Sequence, residues 1–167
     1  MIESRQNELD RMIKIARRHV EAIERHAARE YPHECCGLLV GRIEDGGRTR
    51  VVSEIVPVAN AWEAADTLTH RMRITPLDYA RAEREFAARG LGVVGNYHSH
   101  PDHPARPSQF DLEHLAPWAT MSYVVVSVTE RGAVELRSWE LEPDRSRFNE
   151  EEIARAAGEE ITQGSQP

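Results

Sequence analysis

Residues 92–111 read GVVGNYHSHPDHPARPSQFD. The first half, GVVGNYHSH, is rich in Val and Tyr and follows a helical stretch directly, so it is read as a strand. Residues two apart on a strand share a face, so His98 and His100 project together with Asn96, while Tyr97 and Ser99 point the other way. Two such Cα atoms lie roughly 6.6 Å apart, and imidazoles from there can converge on one cation at about 2.0 to 2.1 Å per bond. The prolines at 101, 104 and 107 then turn the chain into SQFDLEHLA, read as a short helix with Ser108 and Asp111 on one face. A catalytic zinc usually takes three protein ligands and leaves the fourth position to water. Asp111 is therefore the best candidate for the third ligand. The Ser108 hydroxyl is placed to donate to the oxyanion formed when water attacks a carbonyl.

Each piece also has a plainer reading. Ser108-x-x-Asp111 is a capping-box pattern, in which both side chains satisfy free backbone N–H groups at a helix start. His-x-His alone is common polarity near a strand end. The combination is not common: about 0.001 chance occurrences are expected in a chain of this composition. The stretch from His98 to His103 also fits the H-x-H-x-D-H pattern of metallo-β-lactamase-like hydrolases. That fold needs further histidines well downstream, and only His114 follows His103. Asp102 and His103 are thus read as loop residues near the mouth of a cleft.

Upstream, the spacing of Met12, Ile13, Ala16, Val20, Ile23 and Ala27 predicts an amphipathic helix from Leu9 to about Arg29, ended by Tyr31-Pro32. CCGLLVGR (35–42) and TRVVSEIVPV (49–58), joined through DGG, predict a β-hairpin. Residues 59–74 show no period and are read as an irregular insert. Thr75-Pro76 opens a helix that runs to Gly90. Downstream, SYVVVSVT (122–129) and AVELRSWEL (133–141) predict a second hairpin, and NEEEIARAA from Asn149 resembles a capped terminal helix. The expected organisation is an N-terminal tail (1–9), one domain (10–145), and a C-terminal helix with a frayed tail (146–167). The alternation of helices and strands places the fold in the α/β class, as a single three-layer α/β/α domain with a central mixed β-sheet.

Composition bounds the function. At 167 residues the chain holds one core, and 40% hydrophobic against 29% charged residues is globular rather than disordered. The net charge of −7 works against nucleic acid and anionic membranes, where clustered Lys and Arg supply most of the affinity. No apolar stretch is long enough to span a bilayer and the amino end lacks a signal-type core, so the expected location is the cytoplasm. Cys35 and Cys36 are adjacent, which argues against a bridge between them and for two buried small residues.

With these motifs in hand, the sequence resembles the JAMM (MPN-plus, Mov34/PAD-1, JAB1-like) zinc metallopeptidases, in particular their small prokaryotic branch. YPHECCGLLVGR resembles the family's Pro-x-Glu-x-Cys-Gly-Leu-Leu segment, GNYHSHPDHPARPSQFD its metal motif, and SYVVVSV and LRSWEL the strands that follow. The resemblance covers roughly residues 10 to 141. It implies one zinc per chain held by His98, His100 and Asp111, with Ser108 stabilising the oxyanion. It also implies that Glu34 is the general base; from the residues alone Glu34 is one carboxylate among many. Asn96 departs from the family, which has a bulky apolar residue there. The implied activity is cleavage of a peptide or isopeptide bond after the C-terminal Gly-Gly of a ubiquitin-like or sulfur-carrier protein. The alternative is a non-catalytic module that binds such tails or a partner subunit. The compact 59–74 stretch leaves little room for an elaborate substrate-binding insertion, so that selectivity is either looser or supplied by a homodimer.

Overall fold

The computed structural model describes residues 11–115 and 118–154. Ile13 and Ile15 both enter the core, and this alternation makes Met12–Lys14 a strand, β1. The helix expected from Leu9 therefore starts later: α1 spans Arg17–Glu30 and ends at Tyr31 as the Tyr31-Pro32 pair predicts. β1 is too short to announce itself by periodicity, and its place is set by partners far away in sequence, Thr49–Val51 on one side and Glu152–Ala154 on the other.

β2 (Cys36–Glu44) and β3 (Thr49–Val58) form the expected hairpin. Residues 59–74 are irregular apart from one short turn at Ala65–Thr67. α2 (Pro76–Phe86) opens on a complete capping box: the Thr75 hydroxyl accepts from the Asp78 N–H, and the Asp78 carboxylate accepts from the Thr75 N–H. The helical segment closes at Gly90, whose φ of 68° suits a residue without a Cβ. β4 (Gly92–Pro101), β5 (Ser122–Thr129) and β6 (Gly132–Leu141) follow.

The capped helix expected at Asn149 is instead a strand, β7 (Phe148–Ala154). It pairs antiparallel with β6 and parallel with β1. The physical reason lies in Glu151, which has the composition of a helix surface yet is buried against Arg50 and the Ser138 hydroxyl. An ion pair made inside the sheet overrides local helix propensity here. The segment 148–154 thus belongs to the domain; the 1–9 tail and the C-terminal tail past Ala154 lie outside the described residues.

The strand order is β1-β3-β2-β4-β5-β6-β7, with β1 bonded to both β3 and β7 so that the mixed sheet closes on itself. Parallel pairs, β4 with β5 and β1 with its two neighbours, coexist with antiparallel ones. α1 fills the inner face, where Ile23 and Ala27 pack with Leu39, Val52, Val124 and Val126. α2 covers the opposite face through Ala82 and Phe86 against Leu38, Val40 and Val93. This is the α/β architecture that the sequence implies. At one end of the interior the apolar core gives way to Arg50, which is 1% exposed, ion-paired to Glu140 and Glu151, and bonded to the Thr120 carbonyl. Arg11 also reaches Glu140.

Gly95 lets β5 run close beside β4: a Cβ there would lie 2.2 Å from the Ser122 carbonyl oxygen. Beyond it the side chains of β4 alternate as expected. Tyr97 joins the α1 core, where its hydroxyl meets His26 Nδ1 at 2.8 Å, and the Ser99 hydroxyl accepts from the Cys35 N–H. His98 and His100 face the other way. Both cysteines are free and buried, and burial pushes the Cys35 thiol up to about 11 and raises that of Cys36 as well. Among the described residues no helix is long and apolar enough to cross a membrane.

Candidate metal centre

At the carboxyl end of β4, His98 Nε2 and His100 Nε2 lie 3.0 Å apart, and Asp111 Oδ2 is 3.4 Å from the first and 3.2 Å from the second. All three residues are buried. A tetrahedral zinc with ligands at about 2.0 to 2.1 Å holds them roughly 3.3 Å from one another, so this donor set fits zinc in both chemistry and spacing. His100 Nδ1 lies 2.9 Å from the Pro104 carbonyl, which can only accept. The proton therefore sits on Nδ1, and the Nε2 lone pair faces the centre.

The proline-rich link does what its composition requires. It carries the chain from β4 into a single wide helical turn, Asp111–Leu115, with Asp111 at its start. The capping interaction and the cluster coexist: Asp111 Oδ2 accepts from the Ser108 N–H at 2.7 Å, and Ser108 Oγ accepts from the Asp111 N–H at 3.1 Å. The same Oδ2 that caps the turn thus faces both histidines. Ser108 keeps its own O–H free to donate.

Charge is tuned by burial and by neighbours. Burial opposes the charged form of Asp111, but His98, the close approach of the His100 ring and the Ser108 N–H outweigh it and hold the carboxyl well below the usual range. Burial likewise disfavours a charged His98, yet Asp111 and then Glu34 overcome it and raise the imidazole. Glu34 sits between α1 and β2, 5% exposed, with Oε2 lacking any hydrogen-bond partner. Burial raises its carboxyl to about 7, with Asp111 adding to the rise and His98 and Arg71 opposing it. Its backbone is held at both ends, the N–H by the Leu68 carbonyl and the carbonyl by Asn60 Nδ2.

Glu34, His100 and Ser108 line one cleft of about 740 Å³. Of the loop residues, His103 lines this cleft, while Asp102 turns away and accepts from the Tyr31 hydroxyl. Asn96 shares the face of the histidines but donates to the Tyr79 hydroxyl on α2, so it ties helix to sheet. Sequence reasoning missed Asn60, whose amide joins Glu34 to the irregular segment, and Phe110, against which Trp62 and Arg71 pack. Their partners come from three separate stretches, and no spacing signals them.

Residues 16–142 match the family Prok-JAB, prokaryotic homologs of the JAB domain. The chain belongs to this JAB-domain family. A protein from Salinibacter ruber whose solution structure is known is 40% identical to it, with a TM-score of 0.67 over 87% of this chain and 93% of that one. The "Probable TtuB-protein conjugate cleaving protease" of Thermus thermophilus is 31% identical over 114 residues, 68% of this chain and 69% of the relative. The "Tail tip assembly protein K" of Escherichia phage N15 is 34% identical over 108 residues, and the match spans 62% of this chain but only 38% of that longer protein. The relatives of this chain thus include one named as a protease and one named for assembly.

Proposed function

We propose that this JAB-domain chain is a zinc-dependent peptidase that cleaves a peptide or isopeptide bond after the C-terminal Gly-Gly of a ubiquitin-like or sulfur-carrier protein. The reading rests on one observation: three buried ligand atoms at zinc spacing stand beside a buried glutamate that has an unpartnered oxygen and titrates near neutrality. The name of the Thermus thermophilus relative, with its reference to protein conjugates, supports the substrate class.

His98, His100 and Asp111 would hold the metal, which supplies Lewis acidity and lowers the pKa of a bound water from 15.7 to about 7. Glu34 then moves the proton. Buried in the cleft with an unpartnered oxygen, it accepts a proton from water and delivers it to the departing nitrogen. The carbonyl carbon gains a C–O bond as the C–N bond breaks, leaving a carboxylate and an amine. The Ser108 O–H donates to the oxygen that develops negative charge. A Gly-Gly tail suits a narrow cleft because no Cβ obstructs its backbone.

The test is to incubate the zinc-loaded chain with sulfur-carrier proteins bearing C-terminal extensions and to read product masses. A product ending at Gly-Gly is expected. Glu34→Gln should fold and retain zinc while turnover falls by at least about 100-fold. Undiminished cleavage by that variant rejects Glu34 as the base, and tight tail binding without cleavage by the unmodified chain favours a binding module.

A further inference from the structure

The cleft that contains Glu34, His100 and Ser108 is also lined by four basic side chains, His70, Arg71, His103 and Arg106. Among the described residues neither arginine is paired with a carboxylate, although acidic residues outnumber basic ones 28 to 21 in the chain. Arg50, Arg73, Arg89 and Arg137, in contrast, each hold at least one. Arg71 is not free to wander: it is half-buried, its guanidinium lies 4.0 Å from the Phe110 ring centroid, and one N–H donates to the His70 carbonyl at 2.7 Å. The backbone that follows it is tied to Asn60, through the Arg71 carbonyl and the Arg73 N–H. A guanidinium oriented in this way keeps donors aimed at a ligand and loses little entropy on binding.

The position of Arg71 fixes which part of a substrate it meets. The carboxylate that returns a proton to the departing nitrogen must lie on the leaving side of the scissile bond. Glu34 is that group in the reading above, and Arg71 shares its cleft and acts electrostatically upon it. In a C-terminal amino acid the departing nitrogen and the carboxylate are attached to the same carbon. In a lysine isopeptide the departing nitrogen is the side-chain amine, and the backbone carboxyl group is several bonds further away and amidated unless the lysine is terminal.

We propose that Arg71, assisted by Arg106, recognises the free carboxylate of the residue released, so that the chain prefers single-residue C-terminal extensions to isopeptide conjugates. This rests on the peptidase reading, but carboxylate recognition is measurable without turnover. The bond broken is the same C–N bond, and the amine leaves as a free amino acid.

The probe is a peptide ending in Gly-Gly-Ala, as the free acid and as the C-terminal amide, titrated calorimetrically into full-length, zinc-loaded Glu34→Gln protein. The acid should bind about tenfold more tightly, as a charge-assisted Arg–carboxylate contact requires. Arg71→Gln combined with Arg106→Gln should bring the two affinities together, and Arg71→Lys should keep part of the difference. Equal binding of acid and amide to the protein with both arginines overturns the proposal and requires no further variant. A preference that survives the double substitution also overturns it, because the metal would then be holding the carboxylate. If the acid preference is as expected while the unmodified chain cleaves neither peptide, the peptidase reading falls and carboxylate recognition stands.

Discussion

Asn60 makes all four hydrogen bonds available to its amide. Nδ2 donates to the Glu34 and Arg71 carbonyls, and Oδ1 accepts from the Trp62 and Arg73 N–H groups. One side chain thereby fixes the backbone of the proposed base and the segment that faces it. Replacing it with Ala leaves two donors and two acceptors without these partners, at a cost of about 1 to 3 kcal/mol. Asn60→Ala should therefore lower the urea midpoint and depress kcat more than it changes KM, with zinc content unchanged. Wild-type kcat in a destabilised variant would show that Glu34 needs no such support. At this scale the cluster of His98, His100 and Asp111 was legible because the three fall within fourteen residues and obey strand and turn geometry. Glu34 was legible only through family resemblance, since nothing local separates it from the other acidic residues. Asn60 was not legible, because its bonding is decided by loops that meet only in the fold.

At the scale of elements, the hairpins and α2 followed from period and turn chemistry, whereas β1 and β7 did not. β1 is three residues long, and β7 carries four polar residues in seven, NEEE at 149–152, which read as a helix start. Each becomes a strand because it pairs with the other and with a neighbour already in the sheet. β7 also brings Glu151 to Arg50, and a buried guanidinium that loses a carboxylate partner is costly. Ending the chain at Arg147 should accordingly abolish the cooperative urea transition. A truncated chain with the midpoint of the full one would mean that β7 does not help to close the sheet.

For the molecule as a whole, pH acts on stability through its buried carboxyls. Burial raises both Glu34 and Glu151 to about 7 from 4.5, despite the bonds Glu151 receives from Ser138 and Arg50. Between those values the folded chain binds more protons than the unfolded one, so stability is lost as pH rises through about 7. His98, also raised, acts in the same direction. His26, lowered by burial and by Arg29, opposes them, and Asp111 matters only in acid, where its contribution is lost as pH falls below its unfolded value of 3.8. The metal-free chain should thus have a higher urea midpoint at pH 5 than at pH 8, and Glu151→Gln should narrow the gap. A midpoint that rises with pH would contradict this assignment of protons.

The α/β class and one side of the site were readable from local pattern, while closure of the sheet and the buried charges depend on contacts distant in sequence. What all scales share is the proposed cation site at the end of β4, and elemental analysis by mass spectrometry reads its occupancy directly. The purified chain, dialysed against metal-free buffer, should retain one zinc per molecule, and a variant carrying both His100→Ala and Asp111→Ala should retain almost none. An unmodified chain without stoichiometric metal, or a double variant that holds zinc as well as its parent, would contradict the account.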